Sequence, residues 1–386
     1  MKDRIKKKII RVATVPISLN ILLRGQLSFL SHHYEVLAVS GSGQDLTDVQ
    51  EREKIRVCPL KMERGISPLK DIISVVKLYR LFKKEKPLIV HSITPKAGLL
   101  SMLAGKAACV PIRMHTFTGL IFPSRKGILQ NVLIWMDRLL CYCATNVYPE
   151  GEGVKADLLK YKITSKPLKV LANGNVNGVD LSVFDPMAYS ANDNATLKSV
   201  LNIENSFVFI FVGRITKDKG INELIAAFRS VSEFRKNVRL ILVGELERSS
   251  KPSPKTILEI ENNENIRYMG FKEDIRPLLA VSDCLILPSY REGFPNVVLQ
   301  AGAMGLPSIV TDINGCNEII IEGVNGTIID KRDVVSLHNS MLKMIDDDEF
   351  HHRLKLNART MINTRYNQRI VWDALLKEYR SLDYNV

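Results

Sequence analysis

Short β-branched runs alternate with helix-patterned stretches along nearly the whole chain, and this alternation restricts the fold more than any other feature. In the first half the runs are IIRVATV, YEVLAVS, IRVCPL, LIVHSI, IRMHTF, NVYPE and LKVLANG. They are apolar almost throughout, as strands covered on both faces must be, and parallel strands joined by crossover helices satisfy that pattern. After a polar, strand-poor interval around Met187–Asn205 the alternation restarts with FVFIFVG, VRLILVG, IRYMG, CLILPS, PSIVTD and GTIID. The expectation is an α/β chain of two doubly wound domains, residues 1–190 and 191–365. A last helix over residues 366–386, with Ile370, Val371, Leu375, Leu376 and Tyr379 at helical spacing, is expected to pack back on the first domain. The 386 residues are ample for two cores.

In such sheets ligands sit outside the carboxyl ends of the strands, so the residues that follow each strand are the candidate site. Two sheets with those ends facing would enclose one cleft. In VGRITKDKG, Gly213 permits close backbone approach, and Arg214 and Lys219 place two cations where a diphosphate would lie. In YREGFPNVVLQ, Glu292 follows a strand, Gly293 allows a tight turn, and Pro295 suits a first helical position. The amides near Asn296 and Val297 would then form the anion-attracting start of a helix. An ordinary solvated loop is the alternative for the two cations taken alone. No D-x-D pair follows a strand, and DDDE at 346–349 reads as a turn or cap, so no metal site is expected.

These motifs carry a resemblance to a known family. VGRITKDKG, LVGELE, MGFKEDI, LPSYREGFPNVVLQAGAMGLPSIVTDINGCNEII and GVNGTIID stand in the order and spacing of the retaining family-4 glycosyltransferases. VHSITPKAGLLSMLAGKAACVPIRMHTFTG and YPEGEGVKADLL are similar to members acting on polyprenyl-diphosphate-linked sugars in bacterial capsule, O-antigen and exopolysaccharide assembly. The resemblance implies the GT-B fold, two Rossmann-like domains facing across a cleft, and a hexosyl or N-acetylhexosaminyl transfer that needs no metal and no cofactor. The nucleotide-sugar donor, expected to be UDP-linked with GDP-mannose as the alternative, is a co-substrate. By the same resemblance Arg214 and Lys219 bind the donor diphosphate, Glu292 the sugar hydroxyls, and the amides around Phe294 and Asn296 the sugar and phosphates; Phe271 packs beside the base. The family's second acid, after seven intervening residues, takes the ribose hydroxyls; here Gln300 stands in its place, an acceptor and donor where a carboxylate only accepts. His115 resembles the sugar-contacting histidine at a strand end, although Thr118-Gly119 occupy the place of a His-Gly pair in many relatives. A core histidine is the alternative. His91 and Thr94 end the preceding strand, with acceptor contact and packing both open. Asn20, Arg24, Gly25 and Gln26 form the first strand-to-helix loop, where Gly25 alone has an evident backbone reason.

Charge separates the halves. Residues 1–190 hold 29 Lys/Arg against 15 Asp/Glu, whereas the remainder hold 25 against 26. An anionic partner for the first half follows, a membrane surface or a nucleic acid, unless the face is simply solvated. SPLKDIISVVKLYRLFKKEKP sets Leu69, Ile72, Ile73, Val76 and Phe82 on or near one helix face, with Lys70, Lys77, Arg80, Lys83, Lys84 and Lys86 elsewhere. With KDRIKKK this suits peripheral attachment to the inner face of the plasma membrane; an ordinary sheet-covering helix is the alternative. No interleaved aromatic platform supports nucleic-acid binding, which stays a rival reading beside a sugar-nucleotide epimerase of the same architecture. The basic-then-apolar start is broken by Arg11, Pro16 and Asn20 and reads as a first strand rather than an export signal. The longest apolar stretch, Gly127–Tyr148, contains Asp137 and Arg138 and should not span a bilayer. Six cysteines without C-x-x-C spacing point to reduced thiols in the cytoplasm.

Overall fold

The computed structural model describes residues 6–63, 65–247 and 250–384. Of the basic segment KDRIKKK, Lys2 to Ile5 lie outside the described residues. The chain forms two units, Met1–Asn177 with Arg369–Val386, and Gly178–Gln368. The change of unit thus comes about a dozen residues before the expected position at 190, because the segment from Gly178 through the turn Pro186–Ala188 belongs to the second unit.

The first unit holds β1 (Lys8–Val12), β2 (Glu35–Ser40), β3 (Arg56–Pro59), β4 (Ile89–Ser92), β5 (Ile112–Phe117) and β6 (Asn146–Pro149). All neighbours pair in parallel, in the order β3-β2-β1-β4-β5-β6. The second unit holds β7 (Phe207–Val212), β8 (Val238–Val243), β9 (Ile266–Tyr268), β10 (Cys284–Leu287), β11 (Ser308–Thr311) and β12 (Gly326–Ile329). Its order, β12-β11-β10-β7-β8-β9, is the same arrangement, with the first and fourth strands adjacent at the centre. Each sheet is doubly wound, and its strand order reverses between those two strands, the point at which such sheets bind ligands.

The apolar runs become central strands for a packing reason. Val208, Phe209, Ile210 and Phe211 of β7 are fully buried, as are Leu285 and Ile286 of β10. LKVLANG does not form the expected seventh strand of the first half; Leu168 makes one isolated bridge to Val147. Pro167 removes a ladder donor just before it, and Ala172, Gly174 and Asn175 take positive φ, which turns the chain instead of extending it.

The last helix runs Gln368–Tyr384 and sends Leu375, Leu376 and Tyr379 into the core beside Ile9 and Leu27 of the first unit. There the Tyr379 hydroxyl meets Arg11 Nη1 at 2.8 Å and His91 Nδ1 at 2.7 Å. The helix Pro68–Glu85 differs from expectation. Its buried stripe is Ser74, Leu78 and Phe82, which leaves Leu69, Ile72, Ile73 and Val76 exposed. The helix formed from the longest apolar stretch is Gly127–Cys143, and no described helix is long and apolar enough to cross a membrane.

Candidate active site

Two loops leave the adjacent central strands β7 and β10 of the second unit, and small contacts lock them together. After β7 come Gly213 and Arg214, then a single 3-10 turn, Lys217–Lys219, that ends at Gly220. Gly220 has φ 72°, and a Cβ there would lie 2.0 Å from the carbonyl oxygen of Pro288. Only glycine satisfies both demands. The Tyr290 amide donates to the Asp218 carbonyl at 2.9 Å, a second stitch between the loops. Lys219 and Glu292 close the seam, Nζ to Oε1 at 2.5 Å, with side chains 17% and 14% exposed.

Behind Glu292 the turn Gly293–Pro295 leads into the helix Asn296–Ala303. Pro295 caps this helix from one position earlier than expected, and Asn296 and Val297 form its first turn. First-turn amides have no carbonyl partner inside their own helix, and with the helix dipole they attract an anion. Gly315, at φ 77°, backs the turn, since a Cβ would fall 2.4 Å from the Gly293 carbonyl oxygen. The next residue, Cys316, is fully buried; burial, with Glu292 nearby, pushes its thiol pKa well up and keeps it neutral. Phe294 turns its ring into the core, 5.5 Å from that of Tyr366, so it presents backbone to the site rather than side chain.

Arg214 is paired with Glu247, Nη1 lying 2.8 Å from both carboxylate oxygens, and this bond pushes the guanidinium pKa further up. The loop from β8 therefore sets the resting position of a cation that follows β7. Glu247 carried no prior expectation as its partner, although LVGELE was among the resembling motifs. A second network was equally silent in sequence: Tyr290 donates to Glu223 Oε1 at 2.6 Å while Arg332 lies over its ring at 4.7 Å. Burial and Glu223 both push the Tyr290 pKa up, so this hydroxyl stays protonated and orients Glu223. Gln300 is half-buried on the same helix as Asn296, and its side chain hydrogen-bonds to nothing among the described residues. Phe271 stands 68% exposed on the loop after the edge strand β9.

The candidates of the first unit are placed differently. His115 does not end its strand, since β5 continues to Phe117. Its ring is 1% exposed, meets Ser92 Oγ at 2.8 Å, and packs edge-on against Phe117. A Cβ on Gly98 would approach it to 2.5 Å. Burial lowers its pKa to about 3. This is the packing of a core histidine, with its Nε2 left without a hydrogen-bond partner among the described residues. His91 is likewise buried, between Arg11, Tyr379 and Thr116, and its pKa is driven well down by burial and then by Arg11. Thr118 donates to the Ile93 carbonyl at 2.8 Å, and Thr94 meets Thr14 Oγ1 at 2.8 Å. Asn20, Arg24, Gly25 and Gln26 do not form the expected strand-to-helix loop: Asn20 lies inside the helix Pro16–Leu22, which already follows β1, and Gly25, at φ 78°, caps a second helix, Gln26–Ser31, with its amide donating to Glu53 Oε1 at 2.9 Å. Asn20 is held by Arg52 and Asp45, and Gln26 donates to the Val176 carbonyl. Gly25 thus turns the chain between two helices. All six cysteines are unpaired. Among the described residues no three His, Cys, Asp or Glu side chains gather where they could share a metal ion.

Two family models match the chain: Glycosyl transferases group 1 over residues 193–361, and Glycosyl transferase 4-like domain over residues 25–174. The chain is 31% identical over 379 residues to the capsular polysaccharide biosynthesis glycosyltransferase CapM of Staphylococcus aureus, covering 97% of each sequence. It is 32% identical over 310 residues to the UDP-Gal:alpha-D-GlcNAc-diphosphoundecaprenol alpha-1,3-galactosyltransferase of Escherichia coli, covering 79% of this chain and 78% of that one. Among solved structures, Anabaena HepE in complex with UDP superposes with a TM-score of 0.82 at 19% identity, over 97% of this chain and 100% of that one.

Proposed function

From a chain that belongs to the group 1 glycosyl transferases and has their two-domain GT-B fold, we propose transfer of a sugar from a UDP-linked donor to a polyprenyl-diphosphate-linked saccharide, with retention of configuration, in surface-polysaccharide assembly. The observation that carries this reading is the convergence at one strand-order reversal of Lys219, Glu292 and the first turn of the helix Asn296–Ala303. An anionic diphosphate and a hydroxylated sugar need such a combination of cation, oriented amides and carboxylate. The relatives named above are transferases, not epimerases or nucleic-acid-binding proteins.

Chemically, the acceptor hydroxyl bonds to the anomeric carbon on the face from which the diphosphate departs. The bond from that carbon to the phosphate oxygen breaks, and the departing oxygen takes the hydroxyl proton. Negative charge therefore grows on the diphosphate at the transition state, where fixed cations stabilise it most. Lys219 is already oriented by Glu292; Arg214 reaches a phosphate by exchanging its bond to Glu247 for one to the donor. Asn296 and Val297 offer amides to the same anion, Glu292 accepts from sugar hydroxyls, Gln300 reaches the ribose, and the exposed ring of Phe271 packs on the base. Neither a metal nor a cofactor has a part. Attachment to an anionic membrane surface of the cytoplasmic leaflet agrees with the positive excess of the first half and with Leu69, Ile72 and Ile73 standing exposed beside Lys70, Lys77 and Arg80.

A donor screen tests the reading. Purified protein with N-acetylglucosaminyl diphosphoundecaprenol should release UDP from one UDP-sugar in step with acceptor consumption. Nucleotide release that does not depend on acceptor, or release from none of the UDP-hexoses and UDP-N-acetylhexosamines, refutes it.

A further inference from the structure

The first unit carries a groove of about 80 Å³, several times the ~15 Å³ that one water needs. It lies where Pro95 and Lys96 follow β4 and Gly119 to Ile121 follow β5, at the carboxyl end of the sheet. Leu99, Leu120, Leu133 and Met136 make its walls, the last two from the helix Gly127–Cys143. Two polar side chains reach into it. Lys96 is 8% exposed, with its ammonium 2.5 Å from Asp71, so its charge is fixed in place. The Asp137 carboxyl hydrogen-bonds to nothing among the described residues, and burial raises its pKa to about 7.

The helices that flank the groove also carry exposed apolar side chains. The helix Pro95–Ala107 packs between the helices Pro68–Glu85 and Gly127–Cys143, and both neighbours leave large apolar side chains in solvent. Ile72 and Ile73 do so on one, and Ile128 and Trp135 on the other, at 84% and 68% exposure. Exposed cations edge the same helices: Lys70, Lys77 and Lys83 on the first, Arg125 and Lys126 before the second. An apolar slot with a fixed lysine at its side, between helices that carry exposed apolar side chains and cations, matches a hydrocarbon joined to a diphosphate. A second copy of this chain would instead bring cations against cations.

We propose that this groove seats the isoprenoid units next to the acceptor's diphosphate, with the remaining chain running out over the exposed apolar side chains toward the bilayer. Lys96 faces the diphosphate end, and the leucine walls hold the branched hydrocarbon. The inference rests on the lipid-linked acceptor reading above, and it assigns the part of the first unit that recognises the lipid.

The test compares two acceptors, N-acetylglucosaminyl diphosphate carrying an undecaprenyl tail or a methyl group, with the wild-type protein, Leu133→Trp and Asp137→Leu. Leu133→Trp fills the slot. It should raise the KM for the undecaprenyl acceptor by about tenfold, each methylene kept from water being worth roughly fourfold in affinity, and leave kcat and the methyl acceptor unchanged. Asp137→Leu makes the slot wholly apolar and should lower the undecaprenyl KM, an opposite change that misfolding cannot mimic. If the wild type favours the long tail and neither variant alters that preference, the groove is refuted and the bilayer or self-association accounts for the tail. Changes that affect both acceptors alike refute it too. If the wild type uses neither acceptor, or both equally well, the lipid-linked acceptor reading falls and takes the groove with it.

Discussion

Replacing Lys219 by Met removes a cation and keeps most of the side chain's bulk. In the structure its ammonium lies 2.5 Å from Glu292 Oε1, and both side chains are less than one-fifth exposed. Two effects follow, and they differ in size. A unit charge about 4 Å from a phosphate oxygen is worth about 4 kcal/mol at the effective dielectric of such a site. Because the diphosphate gains charge as the sugar leaves, most of this is realised in the transition state, and loss of one such group costs about 3–4 kcal/mol, or about 10²–10³ in kcat. The second effect is on the fold. Glu292 loses its counter-ion, but partial solvent access brings the cost below the 3–5 kcal/mol of a fully buried pair, to about 1–2 kcal/mol. The expected result is a protein that melts a few degrees lower and turns over hundreds of times more slowly at saturating donor. Initial rates and thermal melts of Lys219→Met, with Lys219→Arg as the charge-keeping control, check it. A folded Lys219→Met variant within threefold of wild-type kcat would refute the reasoning.

Gln300→Ala should raise the donor KM about tenfold with little change in kcat, since a ribose hydrogen bond of about 1–2 kcal/mol is made equally in ground and transition states; Gln300→Glu should keep transfer, and donor-dependence curves of both variants decide the matter. Chelation with EDTA should leave initial rates intact, and loss restored by magnesium or manganese would contradict the metal-free site. His115 has a native pKa near 3 against about 6.5 unfolded, so the unfolded chain binds more protons between those values, and stability should fall by about 1.4 kcal/mol per pH unit below 6.5 on its account. His115→Leu should flatten that part of the stability-against-pH curve, measured by denaturant unfolding, while retaining transfer.

What could be read from sequence follows from where local pattern suffices. Strands β7 and β10 are apolar on both faces, so their runs stand out, and Lys219 and Glu292 are identifiable simply because they follow them. That the two form one pair depends on strand order, which brings residues 73 positions apart together. The Arg214–Glu247 bond is hidden for the same reason, as it joins the loops after two neighbouring strands. His115 lies two residues inside its strand and not at its end, because a strand end is the least certain feature of any pattern. The helix Pro68–Glu85 misled because periodicity reveals an apolar stripe and not what covers it; Leu78 and Phe82 face the core, while Ile72 and Ile73 face solvent. LKVLANG has a strand's composition at its start, but its Asn-Gly turn ends the extension.

The central claim is transfer from a nucleotide sugar to a lipid-linked saccharide, and one measurement addresses it most directly. Purified protein is incubated with a UDP-sugar labelled in the sugar and with N-acetylglucosaminyl diphosphoundecaprenol, and the label is followed into the butanol-soluble fraction. The account predicts that label enters the lipid in step with UDP release, and that Glu292→Ala abolishes both. Label that stays in the aqueous phase as free sugar or intact donor, across the UDP-sugars and with that acceptor present, would contradict it.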